Sequence, residues 1–328
     1  MSGRETRRAR LRAFAKINLT LEVLGKRPDG FHELRTISHT ISLADRIEVE
    51  FTPARRTQIA LRSSVAIAGN IVERAARAVL EALGTGGHLR IRLYKRIPIG
   101  AGLGGGSSDA AAVLLALPVL AGQRLPVERL HGLAAGLGSD VPFFLSGGSA
   151  IGFGRGTEVY PLGDLPATWG VLVTPGIHVP TAEAYLALGR PELTMRPEFN
   201  IMDSFQALAW NLAAGSSSRA WAAFCRNDFA KVVFSRYPLL RRLGRRLEKS
   251  GARPALMSGS GSSLFGIFTS RAEAVQACLD FPPGLAEPFT LVSRSRYRSH
   301  WWRSLQEHTD EKLWPPRTRR ETRGPTAP

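Results

Sequence analysis

Arg12 to Leu24 alternates along its length. Ala13, Ala15, Ile17, Leu19, Leu21 and Val23 fall on one side, and Phe14, Lys16, Asn18, Thr20 and Glu22 on the other. A period of two predicts a strand, because successive side chains point to opposite faces. The turn Arg27-Pro28-Asp29-Gly30 closes it, and Ile37 to Phe51 reads as further strand. Ile71 to Leu83 changes to helical spacing and stops at Gly84. Leu89 to Ile97 alternates again, up to Pro98. A glycine-rich loop, Gly100 to Gly106, opens into a helix over Ser107 to Leu117, and a second helix covers Val127 to Leu137. Ser149 to Phe153 is strand-like, and Val171 to Val173 starts a new segment after the loop near Pro166. Helices are predicted around 182–188, 203–215, 219–235 and 238–249, and the strands Ala255–Met257 and Leu264–Phe268 flank a Ser/Gly loop. The pattern predicts an α+β chain with units at 1–165 and 166–293. The remainder, 294–328, is Arg- and Pro-rich and expected to be disordered.

The 328 residues are 44% hydrophobic, ample for a large core. No run of about 18 apolar residues occurs, and no apolar stretch follows the N-terminal arginines, so neither a membrane partner nor a secretory leader is expected. Cys225 and Cys278 lie in no metal or redox spacing, which fits a reducing cytoplasm. The net charge of +17 is uneven. Residues 1–12 carry +4 and residues 294–328 carry +5, leaving about +8 for the body. One reading is a nucleic-acid binder using the basic tails, where Tyr297, Trp301, Trp302 and Trp314 stand among arginines. A moderately basic body also suits an enzyme with two polyphosphate substrates, and nucleic acid is not the expected partner.

The most informative segment is Pro98-Ile99-Gly100-Ala101-Gly102-Leu103-Gly104-Gly105-Gly106-Ser107-Ser108. Its glycines let the backbone turn at positive φ and approach a ligand closely. Successive N–H groups make a nest for anionic oxygens, and the following helix N-terminus adds its own free donors. One reading is a cradle for phosphate groups, with the Ser108 hydroxyl placed near a phosphate-bound Mg²⁺. The plainer reading is a flexible capped loop. Gly100, Gly102 and Gly105 also fit the dinucleotide fingerprint, but the strand before them alternates where a doubly wound sheet needs a continuous apolar run. No lysine follows the glycines, which excludes a Walker A loop.

Lys16 and Asn18 share one strand face. Asp140 lies between Gly138-Ser139 and the apolar Val141-Pro142-Phe143-Phe144; a helix cap is one reading. A carboxylate buried beside those aromatics needs a cation, which Lys16 can supply. A carboxylate that accepts a hydroxyl proton beside an aligning lysine is what phosphoryl transfer requires. Ser258 to Ser263 is either an ordinary hairpin or a second wall against phosphate. Phe31 and Tyr185 offer flat faces for a base, and His32 a ring nitrogen.

The segments Ala15-Lys-Ile-Asn-Leu19, Arg27-Pro-Asp-Gly-Phe-His-Glu-Leu34, Pro98 to Ser108 with Asp109-Ala-Ala-Ala112, and Gly138-Ser-Asp-Val-Pro-Phe-Phe144 follow in order. After them come Gly152-Phe-Gly-Arg-Gly156, Pro180-Thr-Ala-Glu-Ala-Tyr185, Asn227-Asp-Phe229 and Ser258-Gly-Ser-Gly261. Together they resemble the GHMP kinase superfamily over about residues 13 to 290. Within it they are similar to the branch whose acceptor is 4-diphosphocytidyl-2-C-methyl-D-erythritol. The resemblance implies a two-domain fold, with a ribosomal protein S5 domain 2-like N-terminal domain, a ferredoxin-like C-terminal domain and a cleft between them. It implies transfer from ATP to the C2 hydroxyl of that acceptor in non-mevalonate isoprenoid synthesis, with Lys16 and Asp140 catalytic and Asp140 the base. It further implies adenine near Asn70, Ile71 and Lys95, the cytosine between Phe31 and Tyr185 with His32 at its edge, and Asn18 and Thr181 on the rest of the acceptor. Two positions depart from the pattern: Phe31 stands where tyrosine is expected, and Phe14 replaces a usual proline. A homoserine or mevalonate type of kinase is the alternative within the superfamily, disfavoured because those acceptors carry no base to stack.

Overall fold

The structure, a computed structural model, describes residues 5–192 and 224–309. Strands β1 (Arg7–Lys26) and β2 (His32–Pro53) form one long antiparallel hairpin. Its turn is closed by the Arg27 N–H donating to the Phe31 carbonyl at 2.7 Å. β2 serves two partners in succession. Arg46–Pro53 pairs with β4 (Gly87–Tyr94), and Leu34–His39 pairs with β5 (Ser149–Gly154). β3 (Gln58–Ser63) extends the sheet beyond β4, β6 (Glu158–Pro161) pairs with β5, and β8 (Arg226–Asn227) lies parallel to β1. The register of β1 against β2 slips between Phe14 and Lys16, between Asn18 and Thr20, and between Val23 and Gly25. Such irregularities re-aim side chains along a strand.

Three cores meet along β1. Ala9, Leu11, Ala13 and Phe14 pack with helices α1 (Ile71–Leu83) and α2 (Gly105–Leu120). Ala15, Ile17 and Leu19 pack with Leu172, Phe265 and Ile267 of a second sheet. Leu21 and Val23 join a third cluster that includes Val171 and Phe229. The second sheet is antiparallel and contains β7 (Trp169–Val173), β9 (Ala255–Met257), β10 (Leu264–Phe268) and β11 (Ala286–Thr290), in the order β11-β7-β10-β9. β1 is therefore buried on both faces from Ala13 to Val23, where alternation alone suggests one wet face. Further helices are α3 (Val127–Leu137), α4 (Thr181–Leu188), α5 (Phe229–Arg236), α6 (Pro238–Lys249) and α7 (Arg271–Cys278). The helix expected at 203–215, and the first five residues of that expected at 219–235, lie outside the described residues; the rest of the latter is not one helix, because β8 pairs with β1 at Arg226–Asn227 and α5 starts only at Phe229.

Two sequence expectations are corrected. The strand expected to reach Ile97 ends at Tyr94, because the Asp45 carboxylate takes the N–H groups of Arg96 and Ile97 at 2.5 and 2.8 Å in place of a ladder. The segment expected to be disordered from 294 instead begins with helix α8 (Arg294–Leu305), capped by the Ser293 hydroxyl. Tyr297, Trp301 and Leu305 are buried in the first core. The Tyr297 hydroxyl donates to the Phe144 carbonyl, and Arg294 donates to the carbonyls of Leu162 and Ser149. Two of the aromatic residues that made nucleic acid thinkable are thus spent on packing; Trp302 stays 45% exposed, and Trp314 lies outside the described residues.

Candidate active site

A cleft of about 970 Å³ is lined by β1, β2, the glycine loop, the start of α4 and the loop between β9 and β10. Its floor is the glycine loop. Gly100, Gly102 and Gly104 all have positive φ, and Gly104 caps α2 with φ 68°. A Cβ there would stand 2.9 Å from the Phe144 ring and 3.2 Å from Lys16 Cγ, so only glycine fits between aromatic and lysine. Ala101 and Leu103 turn their side chains into the core and present backbone to the cleft, while Ile99 is exposed. The first N–H groups of α2 have no partner within the helix and face this floor, which makes it an anion site. Ser107 lines the cleft; Ser108 does not, being buried with its hydroxyl unpartnered.

The Ser/Gly loop between β9 and β10 is a buttress for that floor. Ser258 Oγ donates to the Gly102 carbonyl at 2.9 Å, and the Ser263 N–H donates to the Ala101 carbonyl at 3.2 Å. Asn227 holds the loop from behind through the carbonyls of Met257 and Gly259. Only Gly259 and Ser260 reach the cleft, and Ser260 meets Thr181 Oγ1 at 3.0 Å.

Lys16 Nζ donates to Asn18 Oδ1 at 2.6 Å and lies 3.5 Å from Asp140 Oδ2. Asn18 is held in turn by its amide donating to Thr36 Oγ1 and Ser38 Oγ, at 2.7 and 3.2 Å. The expected order of burial is reversed. The Lys16 side chain is 5% exposed and that of Asp140 is 48% exposed. The reason is placement: Lys16 sits on the central strand, whereas Asp140 stands in the turn after α3 and faces the cleft. The buried group needing a partner is the ammonium, and the carboxylate is free to meet a substrate.

Asn70 caps α1 through its carbonyl oxygen and leaves Nδ2 buried without a partner beside the cleft. Ile71 lines the same wall. Lys95, expected near adenine, is bound between two carboxylates, Asp45 at 2.5 Å and Asp109 at 2.7 Å. Burial opposes its charge, but Asp109 and Asp45 outweigh it and hold the ammonium above its ordinary pKa. Burial pushes the Asp109 carboxyl up to about 8 against the pull of Lys95.

At the far end, Phe31, His32 and Tyr185 all line the cleft, without forming an open sandwich. His32 stacks on Tyr185, with centroids 4.4 Å apart and planes 22° apart. Burial, then Lys26, pushes the His32 pKa down, so the ring is neutral near pH 7. Burial and then the Asp140 charge raise Tyr185 to about 12, which places that tyrosine within the field of the carboxylate. Sequence reasoning missed Asp45, the supports Thr36 and Ser38, and His178, which lines the cleft beside Gly100. None has a local signal, since each acts through a partner far along the chain.

The GHMP kinases N terminal domain matches residues 70–148, and the GHMP kinases C terminal domain matches residues 208–282. The chain is 54% identical over 317 residues to the 4-diphosphocytidyl-2-C-methyl-D-erythritol kinase of Solibacter usitatus, covering 96% of this chain and 98% of that one. It is 40% identical to the like-named kinase of a Geobacter species, covering 84% and 94%. A crystal structure of a 4-(cytidine 5'-diphospho)-2C-methyl-D-erythritol kinase superposes with TM-score 0.72 at 40% identity, over 86% of this chain and 98% of that one. A homoserine kinase from Cytophaga hutchinsonii shares the fold at TM-score 0.61 and 17% identity, covering 87% and 95%.

Proposed function

The chain belongs to the GHMP kinase family, in its 4-diphosphocytidyl-2-C-methyl-D-erythritol kinase branch, and from that membership we propose how its cleft moves the γ-phosphate of ATP onto the C2 hydroxyl of that acceptor. The observation that carries the reading is the pair of Lys16, buried and hydrogen-bonded, with Asp140 half-exposed 3.5 Å away, set against a glycine floor. Asp140 accepts the hydroxyl proton. Lys16 stabilises charge on the transferring group and keeps the Asp140 carboxylate aimed. Such transfer depends on positioning and electrostatics more than on covalent chemistry. The N–H groups of residues 100–107 hold the polyphosphate. Adenine lies against Asn70 and Ile71, where the free Asn70 amide supplies a donor. Lys95 acts by fixing the start of the loop; its ammonium is already committed.

No group of three metal-ligating side chains occurs among the described residues. A Mg²⁺ carried by the phosphates of ATP would neutralise their charge and meet the Ser107 hydroxyl, which lines the cleft. At the other end, cytosine stacks on Phe31 and Tyr185 and is read by His32, with Asn18 and Thr181 along the rest of the acceptor. Because His32 covers Tyr185 in the free protein, the base has to displace or join that ring. A cytoplasmic setting accords with two unpaired cysteines and metabolite substrates. Among the described residues no helix is long and apolar enough to cross a membrane.

The experiment is ADP release with this acceptor, homoserine and mevalonate supplied in turn. Turnover confined to the cytidine-linked acceptor supports the reading. Turnover of either of the others sinks it.

A further inference from the structure

The turn from β5 to β6 carries Gly154-Arg155-Gly156, and both glycines have left-handed backbone, with φ 63° and 88°. Between them Arg155 projects into the cleft. Its guanidinium carbon lies 3.6 Å from the centroid of the Phe31 ring. Its Nε is buried and has no hydrogen-bond partner. Lys16 and Lys95 are committed to carboxylates, whereas Arg155 has no ion pair among the described residues. Asp29, close by, is hydrogen-bonded by Arg27 and by the Phe31 N–H and feels the Arg155 charge without forming an ion pair with it.

The same turn touches the catalytic loop. A Cβ on Gly156 would stand 3.9 Å from the carbonyl oxygen of Ser139, the residue before Asp140. Arg155 therefore lies between the aromatic platform and the carboxylate. An acceptor with its base at Phe31 and its hydroxyl at Asp140 must carry its diphosphate across that interval. A guanidinium presents a planar fork of donors matched to two phosphate oxygens, and it is desolvated here at little further cost because the ring already covers one face.

We propose that Arg155 is a substrate-binding residue that takes the diphosphate of the acceptor, resting on Phe31 in the free protein and moving onto phosphate oxygens when the base arrives. This rests on the proposed function. It makes recognition of the acceptor depend on its diphosphate as well as its base.

The test is calorimetric binding of CDP and of cytidine to the full chain and to Arg155→Gln and Arg155→Lys variants with unchanged thermal midpoints. Arg155→Gln is expected to weaken CDP on the order of tenfold to a hundredfold, as loss of a charge-assisted contact does. Cytidine should bind as before, and Arg155→Lys should recover part of the CDP affinity. Unchanged CDP binding in Arg155→Gln overturns the proposal, as does an equal loss for CDP and cytidine, which would confine Arg155 to covering the ring. If the wild-type protein binds neither probe, the cytidine-linked acceptor itself is misassigned, and the proposed function falls together with this one.

Discussion

Lys16 and Lys95 line one cleft, each beside a carboxylate, and their surroundings set them to different work. Lys95 is buried with both of its acids, at 2.5 and 2.7 Å, so its ammonium is committed within the cluster, where Asp109 Oδ1 alone of the four carboxyl oxygens has no hydrogen-bond partner. Lys16 is equally buried, but its acid stands half in solvent at 3.5 Å. A tight buried cluster holds geometry; a buried ammonium with a looser, exposed partner can shift its charge toward a substrate. The position of Asp45 shows how the first is built. One oxygen of that carboxylate meets Lys95, and the other caps the N–H groups of Arg96 and Ile97, ending β4 where the glycine loop must begin.

The sharpest way to break the comparison is Asp140→Asn. It should lower kcat on the order of 10²–10⁴-fold, the usual loss of a general base, while thermal midpoint and ATP affinity hold, as expected for a half-exposed partner. Steady-state and binding measurements on one preparation check this, and near-normal turnover would remove Asp140 from the chemistry.

Lys95→Met should do the reverse. It strands the buried Asp45 carboxylate and takes the partner from the Asp109 carboxyl, so stability should fall by about 3–5 kcal/mol, and ATP affinity should fall with it. Chemical denaturation is the readout, and a variant as stable as the wild type would show that the cluster holds nothing.

Next in size are Phe31→Ala and Tyr185→Ala. Each should raise the acceptor KM roughly tenfold to a hundredfold, by loss of a stacking face worth about 1–3 kcal/mol. The ATP KM should stay put. An ATP-side defect would mean the two ends of the cleft are exchanged.

A pH series separates the two lysine sites further. The folded Asp109 carboxyl titrates at about 8, above its ordinary range, so near neutral pH the folded chain holds a proton that the unfolded chain has released. Its contribution is complete at acid pH and is lost as pH rises through about 8. Wild-type unfolding free energy should therefore decline from pH 5 to pH 9, and Asp109→Asn should flatten that slope; denaturant titrations at several pH values would show whether it does.

The smallest effect is expected for Tyr297→Phe, which removes the bond to the Phe144 carbonyl and should cost about 1 kcal/mol. Because Phe144 backs Gly104 and Lys16, a kcat loss beyond what stability explains would tie α8 to the catalytic floor.

Much of the framework is legible in the order of amino acids alone. Ile71–Leu83, Val127–Leu137 and Leu264–Phe268 lie where periodicity puts them, because an amphipathic period and a capping residue are local facts. The glycine loop is legible for the same reason: φ preferences belong to the residue itself, and Gly100, Gly102 and Gly104 do take the left-handed conformation. Lys16, Asp140, His32 and Tyr185 each stand out from short motifs. What the amino-acid order could not express was burial and partnership. Lys16 looks like a solvated strand lysine until β1 is seen threading three cores. Asp45 lies fifty positions from Lys95 and gains its role only when β2 and β4 pair in register. The Arg-rich stretch after residue 293 has a mean polarity that argues for disorder, yet Tyr297, Trp301 and Leu305 form a stripe that finds apolar surface beside β1. Local preferences fix where elements start, turn and stop. The electrostatics of a site depend on which charges lose water together, and that is decided only when distant strands close around them.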